Sequence, residues 1–245
     1  MKKVVFLAVL LLSASLLVHA DDTASWQGYS WDTLGYGSLA VSGGTLQLQI
    51  TSGTADPYSW GIAHTTMSST YQGYSAPWLS ATFQDDPSSN TGALLAFENP
   101  NDSRPAWGEA GYDAGISANT YVVYTYNELT GQAEAILIGQ RTAGEHSVQI
   151  GRLADGTVDF YLDGTLAYTS QSIQPNSFSD VYLFANGMLS DSGQSVTFSS
   201  FKAGDGYARG PNGAFDPTPT PEPASLLLFG AGLMGLAGAI RRRQR

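Results

Sequence analysis

The sequence predicts an all-β protein, specifically an antiparallel two-sheet jelly-roll β-sandwich. Three observations carry this prediction: apolar and polar residues alternate strictly, turn-forming Gly, Asn, Asp and Ser separate the alternating runs, and no long stretch has a helical period. Between Ala24 and Lys202 these runs amount to roughly a dozen strands, which is typical of a large sandwich rather than of alternating strands and helices.

The clearest alternation lies near the start of this region. Leu46, Leu48 and Ile50 alternate with polar residues, so three apolar side chains fall on one face of a strand. The runs "GALLAFE" and "AEAILIG" are apolar without alternation. Such runs favour strands that are covered on both faces.

The segment "HSVQIGRLADGTVDFYLDGTLAYTS" predicts a meander of three antiparallel strands. Asp155-Gly156 and Asp163-Gly164 suit tight hairpin turns, because these residue types tolerate a left-handed backbone. Apolar residues alternate on both sides of each turn.

The two ends of the chain differ from this body. Residues 1–20 have a basic start, an apolar run and a small residue at the end, which is the pattern of a signal peptide. It implies passage through the export machinery and signal peptidase, with an uncleaved anchor as the alternative. Residues 21–203 are the expected sandwich domain, and residues 204–220 are a Gly- and Pro-rich linker. Residues 224–240 carry no charge, and a helix of that length spans roughly 25 Å, enough to cross a bilayer at its short limit.

Residues 221–245 resemble the PEP-CTERM sorting signal of Gram-negative bacteria, in which a Pro-Glu-Pro motif, an apolar span and an arginine cluster follow one another. The resemblance implies processing by an exosortase, a transient anchor in the inner membrane and final delivery to the cell surface or extracellular matrix. Such proteins occur in bacteria that build exopolysaccharide or biofilm, and a plain membrane anchor is the alternative. The motif residues are Pro221, Glu222, Pro223, Arg241, Arg242 and Arg243.

The body resembles the concanavalin A-like lectin/glucanase superfamily, including its LamG-like jelly rolls, through "GGTLQLQIT" and the meander segment. This resemblance implies the same jelly-roll fold. It does not decide activity, because one fold hosts many functions.

Charge excludes one class of partner. Outside the terminal segments five basic and 20 acidic residues remain, a net charge of −15. Such a surface repels phosphate backbones, so we expect no nucleic-acid binding. The chain has no cysteine, and its core must hold without disulfides.

No catalytic residue is predicted. Glycoside hydrolases, which this superfamily includes, need two carboxylates about 5 to 9.5 Å apart. Neither Glu-x-Asp-x-x-Glu nor Glu-x-Asp-x-Glu, the usual strand motifs, occurs in the chain. A pair assembled from distant strands stays open, with four unassigned acids: Glu98, Glu109, Glu128 and Glu134.

Aromatic residues indicate a carbohydrate site, because flat rings stack on the apolar face of a sugar. The candidate carbohydrate-binding residues are Trp60, His64, Trp107 and Tyr124. For the tryptophans the alternative is a cap on the core, and for His64 it is a packed strand position. Calcium is the candidate cofactor, with Asp102 and Asp113 as loop ligands, and ordinary turn-forming aspartates are the alternative.

The first function hypothesis is therefore an exported, surface-targeted, non-catalytic protein that binds exopolysaccharide or another component of the biofilm matrix. The second is a secreted glycoside hydrolase or polysaccharide lyase of the same fold. The third is a structural matrix protein without a discrete ligand site.

Overall fold

The computed structural model describes residues 22–34, 37–50, 58–67, 76–99, 106–127, 132–153, 155–170, 180–188 and 193–217. These residues form strands and one short 3₁₀ turn at Pro211–Gly213. The strands are β1 (Thr23–Trp26), β2 (Tyr29–Asp32), β3 (Ser38–Ser42), β4 (Thr45–Gln49), β5 (Tyr58–Thr66), β6 (Trp78–Asp85), β7 (Gly92–Asn99), β8 (Ala106–Tyr112), β9 (Thr120–Asn127), β10 (Gln132–Gln140), β11 (Gly144–Arg152), β12 (Val158–Leu162), β13 (Thr165–Thr169), β14 (Asp180–Met188), β15 (Ser195–Gly204), β16 (Tyr207–Arg209) and β17 (Phe215–Pro217).

Two large antiparallel sheets form the body. The eight-stranded sheet has the order β1-β2-β5-β14-β7-β8-β9-β10, and the seven-stranded sheet has the order β13-β12-β11-β6-β15-β4-β3. The chain passes repeatedly between the sheets, as at β4 to β5 and β6 to β7. The predicted antiparallel jelly-roll sandwich is confirmed.

The core lies between the two sheets. Leu46, Leu48 and Ile50 are buried in it, whereas Gln47 and Gln49 are exposed, as the alternation predicts. The meander is also confirmed, with β11 paired to β12 and β12 paired to β13.

One strand prediction is wrong. The run "GALLAFE" lies in β7 and is buried on both faces, but "AEAILIG" lies in β10, where Leu137 is 60% exposed. The reason is position: β10 is the last strand of the eight-stranded sheet and pairs only with β9. Only Ile136 and Ile138, which point inward, pack against the core.

A buried ion pair joins the two sheets. Arg141, just after β10, donates from Nε to Asp85 Oδ2 (2.9 Å) and from Nη2 to Asp85 Oδ1 (2.5 Å). The Tyr121 hydroxyl of β9 donates to the same carboxylate at 2.7 Å, and the Arg141 guanidinium lies 3.8 Å from the ring centroid of Tyr112. Asp85 belongs to β6 of the seven-stranded sheet, so this contact links the layers.

The same guanidinium orders the loop between β6 and β7. Arg141 Nη1 donates to the Ser89 carbonyl at 3.0 Å, and Nη2 donates to the carbonyls of Asp86 (3.2 Å) and Thr91 (3.0 Å). The charge is therefore surrounded by acceptors, as a buried guanidinium requires.

Residues 204–217, at the start of the expected linker, contain strands β16 and β17, which pair with each other. This hairpin covers the outer face of the seven-stranded sheet, where Tyr207 packs with Tyr161 and Phe215 contacts Trp78. The Gly- and Pro-rich composition of this segment did not predict strands, because only a few aromatic residues supply its apolar contacts.

We expect Arg141→Met to lower the free energy of unfolding by about 3–5 kcal/mol, because it leaves the buried Asp85 carboxylate without its cation. The double variant Asp85→Leu with Arg141→Met recovers much of this loss, since no buried charge remains. The measurement is denaturant unfolding of the full chain.

Lys202→Met is the matched control for this prediction, because Lys202 is an exposed cation on β15. It is expected to stay within about 0.5 kcal/mol of the wild type. Equal effects of the two single variants would contradict the structural role of Arg141.

Candidate functional site

Strand pairing aligns a row of side chains across the outer face of the eight-stranded sheet. Each member lies opposite the next in the register of strands β2, β5, β14, β7, β8 and β9. Their sequence neighbours, such as Ala63 and Leu183, are buried in the core, so the row faces away from it. In order, the row consists of Asp32, His64, Tyr182, Ala96, Glu109 and Tyr124.

Four more polar residues adjoin this row. Asp180 and Glu98 lie opposite each other, two positions along from Tyr182 and Ala96. Asp113 follows β8, and Asn186 lies on β14. We call the row and these four residues the outer-face cluster.

His64 lies between two carboxylates. Its Nδ1 is 3.3 Å from Asp32 Oδ2, and its Nε2 is 3.0 Å from Asp180 Oδ1. Burial lowers the pKa of His64, but the hydrogen bond to Asp180 and the charge of Asp32 outweigh it, and the pKa is raised overall. Only the imidazolium can donate to both carboxylates at once, because a neutral imidazole has a single N–H.

Tyr182 connects His64 to the next acid. Its ring centroid is 5.0 Å from that of His64, and its hydroxyl donates to Glu98 Oε2 at 3.3 Å. Burial, together with the charges of Glu98 and Asp180, raises the pKa of Tyr182. Tyr182 therefore stays protonated and acts as a hydrogen-bond donor.

Glu98 and Glu109 are both held in surroundings that disfavour their charge. Burial raises the pKa of Glu98, and the charge of Asp180 adds to it. Burial and the charge of Asp113 raise the pKa of Glu109 well above the usual range. Glu109 is half-buried, and none of the described residues forms a hydrogen bond or ion pair with its carboxylate. Its oxygens are not among the fully buried polar atoms that lack a hydrogen-bond partner.

Asp113 follows the end of β8 directly, and its charge acts on Glu109. Gly111 has a φ of 136°, and a Cβ there would lie 2.4 Å from the Ala93 carbonyl oxygen, so only glycine fits. Asp113 accepts a hydrogen bond from the Gly115 amide at 2.7 Å. Burial raises the pKa of Tyr124, and the charges of Glu109 and Asp113 add to this effect.

The arginine and lysine side chains of the described residues lie elsewhere in the fold. Arg141 lies between the sheets, Arg152 and Lys202 belong to the seven-stranded sheet, and Arg209 belongs to the β16–β17 hairpin. His64 is therefore the one cationic side chain that the described structure brings to this face.

Only some of the predicted site residues have side chains that the structure describes. His64 and Tyr124 are members of the row, and Asp113 belongs to the cluster. The backbones of Trp60 and Trp107 pair with those of Asn186 and Glu98, but their side chains lie outside the described part.

Asp102 lies outside the described residues, so the calcium hypothesis is not tested there. Within the described ranges, no three His, Asp or Glu side chains come together as a metal site. The side chain of Trp78 does not face the outer-face cluster. Its Nε1 donates a hydrogen bond to the Asp205 carbonyl at 3.3 Å, beneath the β16–β17 hairpin.

Residues 219–243 match the family model of the PEP-CTERM protein-sorting motif. The chain ends in a PEP-CTERM sorting signal. The match confirms the resemblance seen in the sequence, although residues 218–245 lie outside the described structure. In the ranges that are described, no helix is long and apolar enough to cross a membrane, and the predicted helix 224–240 falls beyond them.

The sandwich that precedes the PEP-CTERM signal is similar to the Emp46p carbohydrate recognition domain. A point mutant of that domain has a TM-score of 0.52 and 11% identity, with 72% of this chain and 88% of that chain covered. Its metal-free form has a TM-score of 0.51, 12% identity and the same coverage. At this identity the likeness shows the lectin-like jelly-roll fold alone.

The chain also matches a sialidase with a TM-score of 0.49 and 10% identity, over 71% of this chain. It spans 17% of the length of that sialidase. No curated protein matches the sequence.

We expect Glu109→Gln to raise the melting temperature at neutral pH by about 2–4 °C. A carboxyl with a raised folded pKa binds its proton more tightly in the folded state. Its contribution to stability therefore falls as pH rises from the ordinary glutamate range towards the raised pKa. Glutamine removes this loss, so wild type and variant converge near pH 4, as calorimetry across pH can measure.

The control for this prediction is Glu145→Gln, an exposed glutamate on β11 of the other sheet. It is expected to leave the melting temperature and its pH dependence close to those of the wild type. A Glu109→Gln shift that is the same at every pH would contradict the proposed origin of the effect.

Proposed function

We propose that this protein is exported, delivered to the cell surface and bound there to a glycan of the surrounding matrix through its outer-face cluster. The PEP-CTERM signal and the signal peptide predicted for residues 1–20 support this route, with an exosortase as processing partner and the inner membrane as a transient site. The fold that the chain shares with a carbohydrate recognition domain supports a glycan as the ligand.

The observation that carries the proposal is the polar and aromatic row across six strands. Tyr182 and Tyr124 lie three strands apart, or about 14 Å at the usual strand spacing. Between them lie Ala96, which is small, and Glu109, whose carboxyl group could form a hydrogen bond with a ligand. Rings for stacking and polar groups for hydroxyls are the two elements of sugar recognition. A surface of this width suits a chain of sugar rings.

The position of the last described residue also fits this role. Pro217, the last described residue, lies in the β16–β17 hairpin outside the seven-stranded sheet. The outer-face cluster lies on the opposite layer of the sandwich. A tail attached at one layer leaves the other free to meet a ligand.

We expect Tyr124→Ala to weaken glycan binding about tenfold, because it removes a ring that stacks on the sugar. The measurement is a glycan array with the full-length chain, followed by titration calorimetry on the best ligand. Tyr124→Phe is the matched control: it keeps the ring and is expected to keep most of the affinity. Absence of binding to every glycan would overturn the proposal, as would unchanged affinity of Tyr124→Ala.

A second candidate function, glycoside hydrolysis, is favoured by one specific observation. Glu98 lies opposite Trp107 and Glu109 lies opposite Ala96, so the two glutamates are diagonal neighbours on adjacent strands. Diagonal neighbours in a sheet are about 7–8 Å apart, which lies within the range of separations of glycosidase carboxylates. Glu109, with its raised pKa, would be the general acid and Glu98 the base.

The non-catalytic proposal predicts that the wild-type chain releases no reducing ends from a panel of β-glucans and host exopolysaccharide. Reducing-end release that Glu109→Gln abolishes and Glu145→Gln preserves would establish the hydrolase instead. The test is decisive because Glu145 carries the same carboxylate on the opposite sheet.

A further inference from the structure

We propose that the β16–β17 hairpin is a latch that controls access to the sorting signal. While the hairpin is docked on the seven-stranded sheet, the folded sandwich shields the signal from its processing enzyme, and processing proceeds when the hairpin undocks. The latch comprises residues 205–217, which end the described part of the chain. This inference rests on the export and processing route of the proposed function and adds a step that regulates it.

The seven-stranded sheet has a cradle shaped for the hairpin. A Cβ added at Gly151 of β11 would lie 2.6 Å from ring carbons of Tyr207, so a larger residue there would collide with the docked ring. Phe215 stacks on Tyr207 at a centroid distance of 5.4 Å and meets the ring of Tyr161 edge-on at 5.3 Å. Tyr207 is buried as a result. The hairpin therefore docks in one specific position.

A buried carboxylate holds the latch closed. Asp159 of β12 is fully buried, and Arg209 donates to it from Nε at 2.9 Å and from Nη2 at 2.5 Å. The Tyr207 hydroxyl donates to the same carboxylate at 2.6 Å, and the Tyr161 hydroxyl lies 2.5 Å from that of Tyr207. Charge-assisted hydrogen bonds of this kind are strong, so the closed state predominates.

The latch can open without unfolding the sandwich. Its strands β16 and β17 have three residues each and form a two-stranded sheet of their own, apart from the two large sheets. The Tyr207 amide ties the hairpin to the body by donating to the Ala76 carbonyl at 2.9 Å. A small unit that lies outside the main sheets opens at a lower cost in free energy than global unfolding.

Chain length determines how close the signal lies to the closed latch. Only residues 218–220 separate Pro217 from Pro221, where the Pro-Glu-Pro motif begins. These four backbone steps span at most about 14 Å, whereas a sheet of seven strands is about 29 Å wide. The folded body therefore stays beside the motif while the latch is closed. Release of residues 205–217 adds up to about 45 Å of reach.

The experiment uses the full-length chain with two latch variants and a matched control. Gly151→Ala places a methyl group against the ring of Tyr207, and Arg209→Gln removes the cation that pairs with Asp159. Lys202→Gln is the control, because Lys202 is an exposed cation on β15 of the same sheet.

Hydrogen exchange followed by mass spectrometry measures latch opening in the purified chain in detergent micelles. We expect both latch variants to speed exchange in residues 205–217 about tenfold. Strands β7 and β14 are expected to keep their protection, which shows that the sandwich stays folded. If Gly151→Ala also loses protection in these strands, Arg209→Gln decides the test, because its side chain is 39% exposed and lies at the edge of the contact.

A pulse–chase experiment in the native bacterium measures the loss of the sorting signal. We expect the latch variants to shorten the half-life of the unprocessed chain about fivefold, because cleavage follows the population of the opened form when opening is fast. Lys202→Gln is expected to change neither hydrogen exchange nor processing.

The outcomes separate the latch from the route on which it depends. Faster exchange of the hairpin with unchanged or slower processing would overturn the latch and leave the route in place. Unchanged exchange in both latch variants, or an equal effect of Lys202→Gln, would also overturn it. A wild-type chain that keeps its sorting signal throughout the chase would overturn the processing route itself.

Discussion

The alignment of the two sheets depends on the buried contact between Asp85 and Arg141. An apolar core holds two sheets together without fixing their relative position, since burial of surface has no direction. A two-point guanidinium–carboxylate contact has a direction, and here it ties β6 to the segment that follows β10. Tyr121 joins the same carboxylate from β9. The end of the eight-stranded sheet that carries Tyr124 is thereby held in place.

The two faces of the eight-stranded sheet differ in polarity. Its inner face is apolar apart from a few hydrogen-bonded groups, and its outer face holds carboxylates, of which Glu98 and Glu109 have raised pKa values. The raised pKa of Glu109 means that the fold tolerates this group at some cost to stability. Such costs concentrate at sites where a protein meets a ligand. This is the pattern that the proposed ligand-binding role of the cluster predicts.

Sequence reasoning succeeded where the deciding interaction is local. The alternation at Leu46, Leu48 and Ile50 needs only a strand and its two faces. It failed for β10 because the edge position of a strand depends on sheet order. The outer-face cluster depends even more on sheet order, because Asp32, His64 and Asp180 come together only where β2, β5 and β14 are neighbours. Residue chemistry made His64 and Tyr124 candidates and left Glu109 among four unassigned acids, and only the register places them in one row with Tyr182.

Under the proposed function, the two layers of the sandwich divide attachment from glycan recognition. Arg209 of the β16–β17 hairpin donates from Nε to Asp159 Oδ2 at 2.9 Å, and Tyr207 donates to the same oxygen at 2.6 Å. Asp159 belongs to β12, on the layer opposite the cluster. A charge-paired, hydrogen-bonded hairpin holds the chain close to Pro217, before the sorting signal at residues 219–243. Cutting the chain beyond the hairpin would remove the signal and leave every contact that aligns the cluster intact.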